Sequence, residues 1–356
     1  MKLNEYVTLG RSGLRVSPFS LGTMTFGTEW GWGADEESSR AIFNRYVERG
    51  GNFVDTADGY TNGKSEQLVG KFLQETKSRD KIVLATKFTF NGQPGNPNAN
   101  GNGRKNIYRA LEGSLRRLQT DYIDLYWMHA WDMMTPVEEV ISSLATLVQE
   151  GKIRYFGFSD VPAWYATRAY TLAEQQGRER VIALQLEYSL IERTIEREHI
   201  PAAQEMGIAV CPWSPLANGL LAGKYKKDGQ SDAPQGRLDI MKTAGGALFE
   251  RFTERNWKIV DTLVEVAKQV GRPPAEVALN WVATQPGITS TILGMTKVEQ
   301  LDSNLASLDF SIPGELRARL DKASELDAEA QPYVFFSPRL QARIRGDLSI
   351  RAWSKA

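Results

Sequence analysis

Four side chains could together move a proton at neutral pH: Asp55, Tyr60, Lys87 and His129. Asp55 closes the apolar run Asn52-Phe53-Val54, and Tyr60 follows after Thr56-Ala57-Asp58-Gly59. Lys87 closes Leu84-Ala85-Thr86, and His129 closes Leu125-Tyr126-Trp127-Met128. A free tyrosine, with a pKa near 10, is too weak an acid to be an efficient donor at pH 7. A neighbouring ammonium stabilises the phenolate and lowers that value. Asp55 would hold Lys87 in place and keep it charged, and His129 could hydrogen-bond a carbonyl oxygen beside the phenol. Each residue alone has a bland reading. Asp55 could cap a helix, Lys87 could be solvated, and Tyr60 could pack on a loop. His129, among Trp127, Met128 and Trp131, could be a satisfied core histidine. Their joint placement at the ends of successive β-type runs favours chemistry.

Those runs belong to a longer alternation. Strand candidates occupy residues 19–22, 52–55, 82–87, 122–129, 153–159, 182–186, 208–213 and 289–294. Several are almost continuously apolar, as parallel strands covered on both faces are. Helical periods fill residues 35–49, 106–118, 136–149, 256–270 and 275–283, with Gly151 as a stop signal after the third. Eight strand–helix alternations without a G-x-G-x-x-G after the first strand favour the closed barrel over the open dinucleotide-binding sheet. The expected fold class is α/β, a (β/α)₈ TIM barrel. A small hairpin precedes it, with Val7-Thr8-Leu9 and Leu14-Arg15-Val16 flanking Gly10-Arg11-Ser12-Gly13. The chain is read as one barrel domain over residues 1–356. Loop insertions at 91–103 and 222–246 are candidate substrate loops, because both follow strand ends. A C-terminal tail at 328–356 shows no clear period.

Composition removes several function classes. Lys+Arg and Asp+Glu are each 43, so the net charge is zero, which argues against a general nucleic-acid binder. One cysteine excludes an internal disulfide framework, and Cys211 with two histidines cannot build a Cys₄ or Cys₂His₂ zinc site, so no metal is expected. The start, Met1-Lys2-Leu3-Asn4-Glu5-Tyr6, lacks a signal-peptide apolar region, and there is no apolar run of about 18 residues. A cytoplasmic chain without membrane contact is expected, and its oligomeric state is not legible.

From roughly residue 3 to 325, the sequence resembles the aldo-keto reductases. The resemblance rests on Leu9-Gly10…Gly13-Leu14…Val16-Ser17…Leu21-Gly22-Thr23-Met24 and on Asn52-Phe53-Val54-Asp55-Thr56-Ala57…Tyr60 with Ser65-Glu66-Gln67-Leu68-Val69-Gly70. Ala85-Thr86-Lys87 and Tyr126-Trp127-Met128-His129 continue it. The resemblance implies a catalytic tetrad of Asp55, Tyr60, Lys87 and His129, with Tyr60 as general acid and base. It also implies a nicotinamide cofactor, NADP(H) favoured and NAD(H) the alternative, with Gly22, Thr23 and Met24 among the binding residues. Ser159, Asp160 and Gln185 would hold the carboxamide, although Asp160 stands where the family carries Asn and lacks its amide donor. Trp213 would stack on the nicotinamide, and Ser214, Leu216, Gly219 and Lys224 would line the pyrophosphate. Gly294, Thr296, Lys297, Gln300 and Asn304 resemble the adenosine segment, where a helix start can meet a phosphate. Thr296 replaces a common Arg, and the neighbouring Lys297 is the candidate substitute.

The implied reaction is reversible hydride transfer between the cofactor and a small-molecule carbonyl or alcohol. Trp30, Trp32, Phe88 and Trp131 could line an apolar pocket for a bulky aromatic aldehyde or ketone, or could be packing residues. Two rivals stand beside this. One is a nucleotide-sensing regulatory subunit on the same fold. The other is a Schiff-base aldolase using Lys87, which would need that amine neutral.

Overall fold

The structure is a computed structural model that describes residues 1–90, 93, 95–223, 225, 251–327 and 330–345. Two short strands, β1 (Val7–Thr8) and β2 (Arg15–Val16), form the expected antiparallel hairpin. Eight parallel strands follow: β3 (Phe19–Gly22), β4 (Phe53–Asp55), β5 (Val83–Phe88), β6 (Ile123–Met128), β7 (Ile153–Ser159), β8 (Ala183–Glu187), β9 (Ala209–Trp213) and β10 (Thr291–Leu293). They pair in the order β10-β3-β4-β5-β6-β7-β8-β9. The Thr289 N–H donates to the Val210 carbonyl at 2.9 Å and brings the two ends together. The expected (β/α)₈ barrel is therefore the observed architecture, and all eight strand candidates are present.

Helices α1 (Glu36–Glu48), α2 (Lys64–Thr76), α3 (Arg104–Leu118), α4 (Val137–Gln149), α5 (Ala163–Gln175) and α6 (His199–Met206) alternate with the strands. Later helices span Glu254–Val270, Pro274–Ala283, Val298–Ala306 and Gly314–Ala323. Local chemistry sets their ends. Asp35 caps α1 by accepting from the Ser38 N–H at 2.8 Å. Gly151 follows α4 at φ 71°, the left-handed stop its residue type favours. The expected C-terminal tail is described only over residues 330–345. It carries a short helix, Pro338–Arg345, and Tyr333 donates to Glu198 at 2.9 Å.

Two cores sandwich the sheet. An outer one lies between strands and helices. A smaller one fills the barrel with Phe53, Val83, Ala85, Leu125, Trp127, Ala183, Ala209, Cys211 and Ile292, and Leu9 and Val16 of the hairpin region pack into it. The barrel is thus a packed core and not a pore. Among the described residues no helix is long and apolar enough to cross a membrane. The 91–103 segment is anchored where it is described: buried Asn102 accepts from Thr89 at 2.7 Å and donates to the Ala130 carbonyl at 2.9 Å. Nearly all of the 222–246 segment lies outside the described residues.

Where α2 crosses α3, Gly70 lets the helices approach. A Cβ there would lie 2.7 Å from the Arg117 and Leu118 carbonyl oxygens. Gly→Ala inside an open helix stabilises by about 1 kcal/mol. Here overpacking reverses the sign, and Gly70→Ala should destabilise by about 1–3 kcal/mol. A lowered urea midpoint with unchanged slope checks this, and an unchanged or raised midpoint refutes it.

Candidate active site

Strand parity assembles the site. In β5, Val83 and Ala85 belong to the barrel interior while Leu84 and Phe88 face the helices. Side chains alternate along a strand, so Lys87 is carried inward. The same count carries Asp55 inward after Phe53, and Gln185 after Ala183. It carries His129 inward after Leu125 and Trp127, and Trp213 after Ala209 and Cys211. These residues meet at the carboxyl-terminal rim of the barrel, where such barrels carry their chemistry.

Lys87 is fully buried and its ammonium makes three contacts. It pairs with Asp55 Oδ1, donates to the Thr56 carbonyl at 2.8 Å and donates to Tyr60 Oη at 3.1 Å. An ammonium has three protons, so its donors are matched. Burial works against its charge, but the Asp55 carboxylate and the Tyr60 phenol outweigh that and hold its pKa above the usual lysine value. The bond to Tyr60 uses a lone pair of the phenol oxygen and not its proton. Tyr60 follows Gly59 in a turn where Thr61 and Asn62 adopt left-handed backbone, at φ 45° and 56°. The turn is fastened by Thr61, which donates to the Phe26 carbonyl at 2.8 Å and accepts from the Ser65 N–H at 3.0 Å.

His129 packs edge-on to Tyr60, with ring centroids 5.8 Å apart. Burial first, and the Lys87 charge second, push its pKa well below the usual 6.5, so the ring is neutral at pH 7. Its Nδ1 is buried without a partner among the described residues. Across the barrel mouth, Gln185 Nε2 donates to Asp55 Oδ2 at 3.0 Å. That leaves Oε1 and the second Nε2 N–H as the groups Gln185 can offer to a ligand. Asp160 accepts from Trp213 Nε1 at 3.0 Å, and burial, then nearby Glu187, raise its carboxyl to about 6 against the pull of that bond.

A cleft of about 660 Å³ opens over this rim. It runs from Tyr60, His129 and Asp55 past Gly22 and Met24, then Ser159, Asp160, Gln185 and Trp213, to Ser214, Leu216 and Gly219. Its far end is lined by Gly294, Thr296, Gln300 and Asn304. An elongated ligand with a polar middle fits this wall. Ser214, Ala217 and Asn218 adopt left-handed backbone, at φ 54°, 49° and 56°, which folds the loop tightly against the cleft. Asn218 Nδ2 is a buried donor without a partner among the described residues. Those features suit the oxygens of a pyrophosphate.

The sequence profile of the Aldo/keto reductase family matches residues 18–325. This chain belongs to the aldo/keto reductase family. The aldo/keto reductase relatives include the uncharacterized oxidoreductase YrpG of Bacillus subtilis, 37% identical over 325 residues, 89% of this chain and 95% of that one. An aryl-alcohol dehydrogenase [NADP(+)] of Phanerodontia chrysosporium is 33% identical over 91% of this chain and 86% of its own. A probable voltage-gated potassium channel subunit beta of Oryza sativa subsp. japonica is 34% identical over 86% of this chain and 91% of its own. The protein is a nicotinamide-dependent carbonyl and alcohol oxidoreductase of that family.

Several expected site residues lie elsewhere. Phe88 does not face the cleft: it is fully buried against Tyr126, at 4.9 Å between centroids, because the parity that turns Lys87 inward turns Phe88 toward the helices. Phe90 shares that parity, but the alternation breaks after the strand at Thr89, at φ 118°, and Phe90 is half exposed and packs 4.9 Å from the His129 ring. Sequence reasoning missed it because it follows the strand. Trp131 joins Trp164 and Tyr165 instead of lining the cleft. Trp30 stands 6.5 Å from the Tyr60 ring and 5.6 Å from Trp32, near the chemistry. Thr23 is buried behind the wall, donating to the Asp55 carbonyl at 3.1 Å, and Thr25 lines the cleft instead. Lys297 is exposed and outside the cleft lining, while Lys224 lies outside the described residues.

The state of His129 is testable. In wild type its imidazole resonances should show no protonation step near pH 6.5. Lys87→Met removes one of the two causes of the shift and should raise the midpoint. A midpoint that stays put or falls in the variant, followed by NMR, would remove Lys87 as a cause.

Proposed function

We propose that Tyr60 is the general acid and base of this oxidoreductase, that its preferred substrates are aryl carbonyls and alcohols, and that it uses NADP(H) with NAD(H) as a weaker alternative. The observation that carries the reading is the Lys87–Tyr60 contact at 3.1 Å, made by an ammonium whose other protons are already committed. The nicotinamide supplies or accepts the hydride. Tyr60 passes its Oη proton to the carbonyl oxygen as charge develops there. Lys87 holds the phenol oxygen and offsets its growing negative charge, and Asp55 keeps Lys87 charged and placed. Neutral His129 can donate an N–H to the same oxygen, adding electrostatic stabilisation. A charged and fully engaged Lys87 argues against the Schiff-base aldolase, which needs a neutral amine.

The aryl preference is supported by Trp30 and Phe90, which stand against Tyr60 and His129, and by the aryl-alcohol dehydrogenase relative. The channel-subunit relative supports a second reading, a regulatory role, and turnover of carbonyls separates the two. The expected domain reading stands as part of the proposal: one barrel, with the 91–103 and 222–246 segments as substrate loops. Tyr60→Phe keeps the ring and loses the proton. It should leave nucleotide binding intact and lower carbonyl reduction by about 10²–10⁴-fold. Wild-type turnover in that variant means that another group donates the proton.

For the cofactor, the 2′-phosphate needs a cation or backbone N–H groups. The N–H groups of Thr296 and Lys297 already donate to Gln300 Oε1, at 2.9 and 3.2 Å, so the Lys297 ammonium carries the preference. Glu299, on the cleft wall beside it, opposes a phosphate and keeps the preference modest. A charge-assisted bond contributes about 1.5–3 kcal/mol, roughly 10–150-fold in affinity. Lys297→Ala should weaken NADPH binding toward the lower end of that range and spare NADH. Equal loss for both nucleotides would make Lys297 a support for the loop.

A further inference from the structure

Asp160 is a carboxylate without a counter-ion at the reactive end of the cleft. It makes no ion pair among the described residues, and its accessible surface opens into the cleft. Its position is fixed on several sides. Its backbone is left-handed at φ 46°, which Asp tolerates better than most residues. Its N–H donates to the Gln185 carbonyl at 3.2 Å and its carbonyl accepts from the Trp131 N–H at 3.4 Å. Its Oδ1 accepts from Trp213 Nε1 at 3.0 Å and its Oδ2 from Ser159 Oγ at 3.4 Å. None of these donors carries a charge. The nearest formal charges already have partners. Lys87 is held by Asp55, and Glu187 accepts from Arg251 at 2.5 Å. His129 is neutral.

The chemistry of hydride transfer says what must come close to this group. Proton and hydride go to the two adjacent atoms of one carbonyl. A nicotinamide working with Tyr60 therefore occupies the end of the cleft that holds Tyr60 and His129. Asp160 belongs to that end, because Gln185, whose carbonyl accepts from it, reaches Asp55 through its own side chain, and Asp55 holds Lys87 against Tyr60. The oxidised ring is a cation and the reduced ring is neutral. Every other part of the two nucleotides is the same.

We propose that Asp160 sets the redox-state preference of the site, binding the oxidised nicotinamide nucleotide more tightly than the reduced one. This rests on reading the cleft as the nicotinamide site. The carboxylate also accepts from the carboxamide N–H₂, where an Asn would supply either a donor or an acceptor. Two consequences follow for the reaction. Loss of hydride leaves a positive charge on the ring, so Asp160 favours hydride donation to the bound carbonyl. The same attraction slows departure of the oxidised nucleotide, making it a strong product inhibitor of carbonyl reduction. No atom is exchanged with Asp160, which acts through its charge.

The test is a pair of binding titrations on the full chain, NADP⁺ and NADPH measured separately by calorimetry at pH 8. A unit charge several ångströms away at an effective dielectric near 20 changes relative affinity by about 10- to 100-fold. Asp160→Asn, which keeps the shape, should shift the NADP⁺/NADPH affinity ratio toward NADPH by that factor. A second measurement needs no variant. With the carboxyl raised to about 6, the wild-type ratio should fall as pH drops from 8 to 5, since protonation removes the charge. The 2′-phosphate is common to both nucleotides and cancels from the ratio. The groups facing Asp160 are the Lys87–Asp55 pair, the Glu187–Arg251 pair and neutral His129, and NAD⁺ with NADH gives the same comparison without any phosphate titration. A ratio unchanged in Asp160→Asn and flat with pH, while both nucleotides bind, overturns the proposal and leaves the cofactor site standing. Failure of wild type to bind either nucleotide overturns the cofactor reading and this proposal with it.

Discussion

A fully buried ammonium is the constraint around which this molecule is built. Removing a charge from water costs several kcal/mol unless its surroundings replace the lost hydration. Lys87 meets that demand with Asp55, the Thr56 carbonyl and Tyr60, all supplied by one strand end and the turn that follows it. Register makes the match. Asp55 is paired with Ala85 across β4 and β5, which sets its side chain beside that of Lys87. A one-residue slip would send the ammonium to the helix face with no partner. The pairing is thus a requirement of folding and, at the same time, the alignment of a phenol with a positive charge.

The charge then organises what surrounds it. It helps keep His129 neutral, so the imidazole is a hydrogen-bond donor and not a second cation. Asp55, engaged with Lys87 through one oxygen, uses the other to hold Gln185 from the far side of the barrel. The rim is tied across its diameter by side chains, while Trp127 and its neighbours fill the space beneath. Such a packed support limits how far the reacting groups can drift, which matters because small misplacements cost large factors in rate. The left-handed residues Thr61 and Asn62 sit in the turn that carries Tyr60, where backbone strain is offset by hydrogen bonds to neighbouring loops.

Charge is also distributed unevenly along the cleft. The reactive end holds a compensated pair and an uncompensated carboxylate, Asp160. Among the described residues no lysine or arginine lines the cleft wall. On the proposed cofactor reading, a polyanionic nucleotide would draw on backbone and amide donors along the wall, such as Asn218 Nδ2. Apolar surface also borders these residues, where Trp30 packs against the Tyr60 phenol and Phe90 against the His129 imidazole.

The eight strands, the hairpin and the four residues of the tetrad were legible in the sequence alone. Apolar runs ending in Asp55, Lys87 and His129 carry both the strand signal and the polar exception to it. What the sequence left undecided was direction. Phe88 and Phe90 are the same residue type at the same strand parity, but one is core and the other borders His129, because the backbone leaves the strand at Thr89, at φ 118°. Thr23 and Thr25 divide in the same way between the support and the wall. Trp131 looked like a pocket residue because it follows His129 so closely, yet the chain turns there and its ring joins Trp164 and Tyr165. Neither composition nor motif spacing could show that Gln300 satisfies the N–H groups beside Lys297, or that Asp160 faces the reactive end without a cation. A sequence records which groups are available and with what period. Which of them meet, and which charges stay unmatched, depends on contacts between segments more than a hundred residues apart, as between Asp55 and Gln185, |i−j| = 130.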